Sequence, residues 1–120
     1  MSLKISTRTV ENVAVLDLSG RITLGEAAGS LRDTIKDLLA KDNKSILLNM
    51  TDVSYIDSSG LGEMVGAFAT ASNRGGKLKL LGLQPRVNDL MQLTKLYSVF
   101  EIFTDEAAAV RSFEHRAASV

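Results

Sequence analysis

Apolar and polar residues alternate near the start of the chain and predict two strands. Residues 4–9 alternate weakly, which is typical of an edge strand. The segment VAVLDLSG, residues 13–20, alternates more clearly and predicts a second strand that ends at Gly20. Glu11 and Asn12 lie between these segments and are typical of a turn. The chain is therefore expected to begin with a β-hairpin.

The spacing of apolar positions then changes from two to three and four residues, which predicts a helix. Thr23 and Glu26 have the spacing of a capping box, so the helix is expected to begin near Thr23. Residues 42–44, Asp-Asn-Lys, end it. The apolar face of this helix consists of Leu24, Ala27, Ala28, Leu31, Ile35, Leu38 and Leu39.

Three further strand segments follow, separated by helices. The run SILLNM, residues 45–50, predicts a strand that is covered on both faces. The segments KLKLLGL, residues 77–83, and SVFEIFTD, residues 98–105, predict the other two strands. Strands that alternate with single helices favour a parallel sheet with right-handed crossovers. The order β-β-α-β-α-β-α-β-α therefore predicts an α/β fold with a mixed, largely parallel sheet.

The last two helices carry recognisable start signals. Pro85 suits the first turn of a helix, since that position needs no amide hydrogen. Thr104 or Asp105 can cap the final helix. We expect the inner face of the final helix to consist of Ala107, Val110 and Phe113.

A helix with unusually small residues is predicted from Leu61 onward. Gly62, Gly66 and Ala67 lie between the apolar positions of this segment. Small residues usually mark close packing of backbones, and we favour that interpretation for most of them. A flat surface for a partner is the alternative.

The composition is ordinary for a globular protein and excludes several kinds of site. Lys+Arg and Asp+Glu are both 14, and there is no basic run that would predict nucleic-acid binding. The chain has no cysteine, so disulfides and thiolate metal ligands are excluded. Its apolar runs are too short for a membrane span, and its beginning lacks the core of a signal peptide. We expect a single cytoplasmic domain over residues 1–120, with no metal, no cofactor and no insertion into a membrane.

The segment YIDSSGLGEMVGAF, residues 55–68, lies where a strand meets a helix. Asp57 and Ser58 are preferred capping residues, and capping is the favoured interpretation from these residues alone. An exposed serine at a helix N-terminus can also accept a phosphate, because backbone N–H groups and the helix dipole favour an anion there. A phosphate adds about −1.5 to −2 charges and would reject a partner that binds the neutral surface.

Catalytic interpretations of this segment find little support. A nucleophile elbow needs a glycine two positions before the serine, and neither Ser58 nor Ser59 has one. The only histidine, His115, lies in the predicted last helix, so a positioned base is missing. A dinucleotide fingerprint fails because Val65 replaces its third glycine. We therefore expect a protein that is not an enzyme, and neither a metal cluster nor a phosphate loop is predicted.

Residues 48–103, together with VAVLDLSGRI at residues 13–22, resemble the STAS domain family. The resemblance is strongest to the small single-domain anti-sigma factor antagonists. It depends on the combination of DSSGLG, GGKLKLLGL and LTKLYSVFEIF, at residues 57–62, 75–83 and 93–103. The resemblance implies a sheet of four to five strands with about four helices packed mainly on one side.

The resemblance also implies a function in bacterial transcription regulation by partner switching. Ser58 would be phosphorylated by an anti-sigma factor that is also a serine kinase. The unphosphorylated chain would bind that kinase and release a sigma factor, phosphorylation would end the binding, and a serine phosphatase would restore it. The residues implied to contact the partner around Ser58 are Asp57, Ser59, Gly60, Leu61 and Gly62.

Thr23 departs from the family pattern, because many antagonists carry an acidic residue in this loop. We still expect Thr23 to contact the partner. The alternative function is a constitutive STAS interaction subunit of a lipid-transport, stress-sensing or transporter assembly, in which Ser58 is only a cap. A small enzyme or nucleotide-binding protein is a second alternative, and both a monomer and a weak dimer are compatible with the sequence.

Overall fold

The computed structural model describes residues 3–113, and its elements follow the predicted order. His115, which the sequence predicts to lie in the last helix, is outside the described residues. The elements are β1 (Leu3–Val10), β2 (Val13–Ile22), α1 (Glu26–Ala40), β3 (Ser45–Ile56), α2 (Ser58–Asn73), β4 (Lys77–Leu81), α3 (Pro85–Thr94), a short 3₁₀ turn (Leu96–Ser98), β5 (Ile102–Phe103) and α4 (Glu106–Arg111).

Within residues 3–113, the strands form one five-stranded sheet in the order β1-β2-β3-β4-β5. β1 pairs with β2 in the antiparallel direction, and the later neighbours are parallel. The turn between β1 and β2 has positive φ angles at Glu11 (51°) and Asn12 (71°), which matches the twist of a tight hairpin. The mixed, largely parallel sheet and the predicted hairpin turn are confirmed.

The main core lies between one face of the sheet and the helices α1, α2 and α3. Leu16, Leu48 and Leu80 are fully buried on this face, on three neighbouring strands. The central strand β3 is buried on both faces, as its apolar run predicted. The helices contribute Leu31, Ile35 and Leu39 from α1, Leu61, Met64, Ala67 and Ala71 from α2, and Val87 and Met91 from α3.

The opposite face of the sheet is covered by α4. Ala109, Val110 and Phe113 pack there against a smaller apolar cluster that includes Leu47. In the part of the chain that the structure describes, three α-helices lie on one face and one on the other, which confirms the expectation that the helices lie mainly on one side. Ala107 was expected to face inward but is exposed, because the buried side of this short helix runs through Ala109 and Val110.

Ionic contacts fix both ends of α4 to the sheet. The Arg8 guanidinium on β1 lies 2.6 Å from Asp17 and 2.7 Å from Glu106. At the other end, the buried Lys79 Nζ donates to the carbonyl oxygen and the hydroxyl of Ser112, both at 3.0 Å. Lys79 Nζ also lies 3.0 Å from Glu101 and 4.6 Å from the centre of the Phe113 ring. This face is therefore held by charge as well as by apolar packing.

The start of α1 differs from the prediction. The helix begins at Glu26, its cap residue is Gly25, and no side chain donates or accepts a capping hydrogen bond there. Gly25 has a φ of 99°, so the residues before it turn away from the helix axis. Thr23 is therefore not the cap, and Leu24 is 75% exposed instead of belonging to the apolar face.

Candidate functional site

The N-terminus of α2 lies directly after the carboxyl end of β3. Asp57 has an extended backbone, and its Oδ1 accepts a hydrogen bond of 2.8 Å from the Gly60 N–H. The Leu61 N–H donates to the Asp57 carbonyl oxygen at 2.9 Å. The predicted cap is confirmed and belongs to Asp57, while Ser58 is the exposed first residue of the helix.

The second carboxylate oxygen of Asp57 reaches the loop between β2 and α1. Oδ2 accepts a hydrogen bond of 3.0 Å from the Leu24 N–H, and the Asp57 N–H donates to the Ile22 carbonyl oxygen at 3.2 Å. The hydrogen bond from Gly60 and then the one from Leu24 lower the pKa of Asp57 below its usual value. The carboxylate is therefore ionised at neutral pH and connects two segments that are distant in sequence.

Gly60 permits the close contact between α2 and β2. A Cβ atom at this position would lie 2.8 Å from the Ile22 carbonyl carbon and 2.9 Å from Ile22 Cγ2. These distances are shorter than van der Waals contact, so only glycine fits without movement of the backbone. Gly60 therefore allows the tight approach of α2 to the end of β2.

The other predicted contact residues lie around Ser58 at different depths. Ser59 and Thr23 are half-buried, and Gly62 is exposed. Leu61 is 8% exposed and belongs to the main core, so its side chain supports the site from inside the protein. Ser58, Ser59 and Gly62 form the accessible part of this set on α2.

The small residues of α2 do not all serve close packing. Ala67 is buried, as the packing interpretation predicted. Gly62 and Gly66 are exposed, and a Cβ atom at either position would meet nothing within 4 Å. The packing interpretation is therefore wrong for these two glycines, because both lie on the outer side of α2.

An open groove between α1 and α2 borders Ser59 and is lined in part by glycines. An ion pair crosses it, with Arg32 Nη1 lying 3.0 Å from Glu63 Oε2. Leu24 lines its end nearest the site and was missed as a surface residue. The glycine directly after Leu24 was the signal that the helical pattern should not be extended to it. The groove is lined by Leu24, Gly25, Ala28, Gly29, Arg32, Ser59, Gly62 and Glu63.

The exposed hydroxyl of Ser58 lies directly beside the carboxylate of Asp57 at this end of the sheet. Across residues 3–113, no group of histidine, cysteine or acidic side chains has the arrangement of a metal site. In the same range, none of the helices combines the length and apolar character that crossing a membrane requires.

Comparisons with known proteins concern the family and the fold of the chain. The family model described as the STAS domain matches residues 4–109. The chain is similar to the anti-sigma-B factor antagonist of Bacillus subtilis (strain 168), with 31% identity over 111 residues, which covers 92% of this chain and 100% of the relative.

Two solved structures have the same fold. A candidate anti-sigma factor antagonist from Thermotoga maritima superposes with a TM-score of 0.84 at 25% identity and covers 91% of this chain and 93% of its own. The Bacillus cell fate determinant SpoIIAA in its phosphorylated form gives a TM-score of 0.70 at 22% identity, with coverage of 91% and 99%. The latter likeness concerns the fold.

Proposed function

The chain belongs to the STAS domain family, and we propose that it is an anti-sigma factor antagonist whose binding is switched at Ser58. The unphosphorylated chain binds an anti-sigma factor that is also a serine kinase, and a sigma factor is released. Phosphorylation of Ser58 ends this binding, and a serine phosphatase restores it. The relative from Bacillus subtilis carries the name of such an antagonist.

The observation that carries this proposal is the position of Ser58. It is exposed, it is the first residue of α2, and the cap is provided by its neighbour Asp57. A kinase can therefore reach the hydroxyl without displacing the capping side chain. Backbone N–H groups at the start of the helix favour the added anion, so the fold is expected to tolerate it.

Loss of binding follows from charge and hydration. A phosphate adds about −1.5 to −2 charges at neutral pH directly beside the ionised Asp57. The accessible surface next to it includes Leu24 and Gly62, which can contact a partner by shape and apolar contact. The cation of the same groove, Arg32, is already paired with Glu63. Burying a hydrated phosphate against such a partner is costly, because its charge would lose water without gaining an opposite charge.

The proposed role is regulatory, and the reaction belongs to the partners. The kinase supplies ATP and the phosphatase supplies hydrolysis, so the chain itself is proposed to catalyse nothing. Because sigma factors act on RNA polymerase, the proposed place of action is the cytoplasm. Thr23, half-buried in the loop beside Asp57, offers a neutral contact to the kinase.

Titration against the anti-sigma factor kinase of the same organism tests the proposal. Ser58→Ala is expected to keep the affinity, while Ser58→Asp weakens it at least about tenfold through like charge and desolvation. Ser72→Asp is the matched control, because it places the same charge at the exposed far end of α2. Equal affinities of Ser58→Ala and Ser58→Asp would rule out the switch.

Intact mass after incubation with the kinase and ATP separates this function from that of a constitutive interaction subunit. The wild-type chain is expected to gain one phosphate, and Ser58→Ala is expected to gain none. A chain that binds its partner but gains no phosphate would favour the constitutive role. Phosphate that is gained equally by both chains would place the modification elsewhere.

A further inference from the structure

We propose that the Asp57 carboxylate transmits the phosphorylation state of Ser58 to residues 23–25 and so controls the position of Leu24. This inference rests on the proposed function, because it names a step in the regulation of the same site. The contacts involved lie inside the chain and can be measured without a kinase.

The geometry joins three separate parts of the chain through one side chain. Asp57 Oδ1 accepts from the Gly60 N–H at 2.8 Å and thereby holds the first turn of α2. Asp57 Oδ2 accepts from the Leu24 N–H at 3.0 Å, across 33 positions of sequence. The Asp57 N–H donates to the Ile22 carbonyl oxygen, which places the carboxylate beside the end of β2. A displacement of this carboxylate therefore affects α2 and the loop together.

The loop has few other features that would fix Leu24. Gly25 is exposed with a φ of 99°, and a Cβ there would meet nothing within 4 Å. The Leu24 side chain is 75% exposed, so apolar packing does not hold it in place. The carbonyl oxygens on either side of Leu24 tie the loop to α1, since Thr23 accepts from the Ala28 N–H and Gly25 accepts from the Gly29 N–H. The Thr23 carbonyl and the Leu24 N–H belong to one peptide group, which α1 holds through Ala28. The hydrogen bond to Asp57 is the contact that ties this peptide group to the start of α2.

Phosphorylation of Ser58 acts directly on this carboxylate. The phosphate brings about −1.5 to −2 charges to the next residue, and like charges at this distance repel. Its oxygens also compete for the N–H groups at the start of α2, including that of Gly60, since a phosphate is a strong acceptor at a helix N-terminus. Both effects move Asp57 Oδ2 away from the Leu24 N–H.

The consequence for binding is a change in the presented surface in addition to the new charge. In the unphosphorylated chain, Leu24 is an exposed apolar side chain that lines the groove with Ser59 and Gly62, and Asp57 holds its backbone N–H. Preorganised apolar anchors lose little entropy on association and carry a large share of binding energy. After phosphorylation, Leu24 loses its acceptor, and the anchor is no longer held in the binding geometry.

The first test is amide NMR of the full chain with phosphoserine installed at position 58 during translation. The Leu24 amide proton is expected to move upfield, and its hydrogen exchange is expected to become at least about tenfold faster. The Ala108 amide is the control, because it donates to the equivalent capping carboxylate of Asp105 at 2.9 Å, far from Ser58 in sequence. A Leu24 amide that is unchanged by the phosphate would overturn the proposal.

The second test removes the link without a phosphate. In Asp57→Asn, the side-chain oxygen can still accept from the Gly60 N–H. The second carboxylate oxygen is replaced by an NH₂ group, which cannot accept from the Leu24 N–H. Its Leu24 amide is expected to resemble that of the phosphorylated chain. The matched control is Asp52→Asn, because Asp52 is exposed and makes no side-chain hydrogen bond or ion pair among the described residues. A wild-type Leu24 signal in Asp57→Asn would contradict the proposal.

The third test connects the link to the kinase through a double-mutant cycle. Asp57→Asn and Leu24→Ala are each expected to weaken kinase binding about tenfold, and the double variant is expected to be weaker by much less than the product. Independent, multiplicative effects would overturn the coupling. If phosphoserine at position 58 left the kinase affinity unchanged, the proposed function would fail, while the NMR tests would still decide the link.

Discussion

The helices α2 and α4 begin with the same device and use it differently. Asp57 and Asp105 both have extended backbones, and each accepts a hydrogen bond from the N–H three residues later, from Gly60 at 2.8 Å and from Ala108 at 2.9 Å. Asp57 also accepts from Leu24 through its second oxygen. Within residues 3–113, the Asp105 carboxylate has no second hydrogen bond. A capping carboxylate can therefore bond only to its own helix, as at Asp105, or also to a distant loop, as at Asp57.

The contacts that hold the two helix starts against the sheet also differ. The start of α2 is held by the contact between Gly60 and Ile22, where no side chain fits. The start of α4 is held by the ion pair between Arg8 and Glu106 on the partly exposed face of the sheet. One helix start thus depends on close packing, and the other depends on screened charge.

Gly60→Ala is expected to give the largest effect at the α2 start. The added methyl group would overlap the Ile22 backbone and force α2 from β2, which lowers the free energy of unfolding by about 2–3 kcal/mol. Gly62→Ala is the control, since its methyl group meets open space and removes backbone entropy, with a gain of about 0.5–1 kcal/mol. Urea unfolding at neutral pH measures both, and equal stabilities would refute the close contact.

The same substitution at the two caps is expected to have unequal effects. Asparagine caps helices as well as aspartate, so Asp105→Asn should change the free energy of unfolding by no more than about 0.5 kcal/mol. Asp57→Asn should lower the thermal midpoint clearly more, because its amide cannot serve both Gly60 and Leu24 as the carboxylate does. Equal midpoints for the two variants, followed by circular dichroism, would remove the distinction between the caps.

Removing Arg8 tests the ionic side of the comparison. The guanidinium contacts Asp17 and Glu106, but these side chains are 35–40% exposed, so solvent screens the pairs. Arg8→Met should therefore cost only about 1 kcal/mol of unfolding free energy. Lys4→Met on the same strand is the control and should be close to neutral. If Arg8→Met lowers the free energy of unfolding as much in high salt as in low salt, an ionic origin of the effect is contradicted.

Acid should remove the small contribution of the Arg8 ion pairs to the free energy of unfolding. The hydrogen bonds from Arg8 lower the pKa values of Asp17 and Glu106 below their usual range, and the same contacts raise the pKa of Arg8. Groups with lowered pKa values stabilise the fold above the unfolded value of about 4, and this stability is lost as pH falls through the folded pKa. The stability gap between wild type and Arg8→Met should therefore close between about pH 5 and pH 2. A constant gap would exclude the pairs as its cause.

The order of elements could be predicted because the decisive signals are local. Strands and helices alternate with clear apolar periods, and Pro85 and Asp105 begin their helices where expected. The position of Ser58 at the start of α2 followed from the same kind of signal. The resemblance to the STAS domain then indicated which of the possible α/β arrangements this order adopts.

The rest of the site could not be predicted, because it depends on contacts between distant segments. The hydrogen bond from the Leu24 N–H to Asp57 spans 33 positions of sequence, and no regular residue spacing predicts such a contact. The exposed position of Leu24 depends on the φ of Gly25, which a helical pattern does not reveal. Exposure of Gly62 was missed for a similar reason, since a small residue has the same appearance in sequence whether a neighbour approaches it or not.

Because Lys79 is buried beside the end of α4, the reactivity of its amine can report the packing of α4 on the sheet. Acylating reagents modify an amine only when it is uncharged and open to water, and this one is held against Ser112, Glu101 and the Phe113 ring. Exposed lysines such as Lys36 and Lys41 react freely by comparison. The extent of labelling at this single amine, read by mass after a brief pulse, therefore reports how often the last helix leaves the sheet.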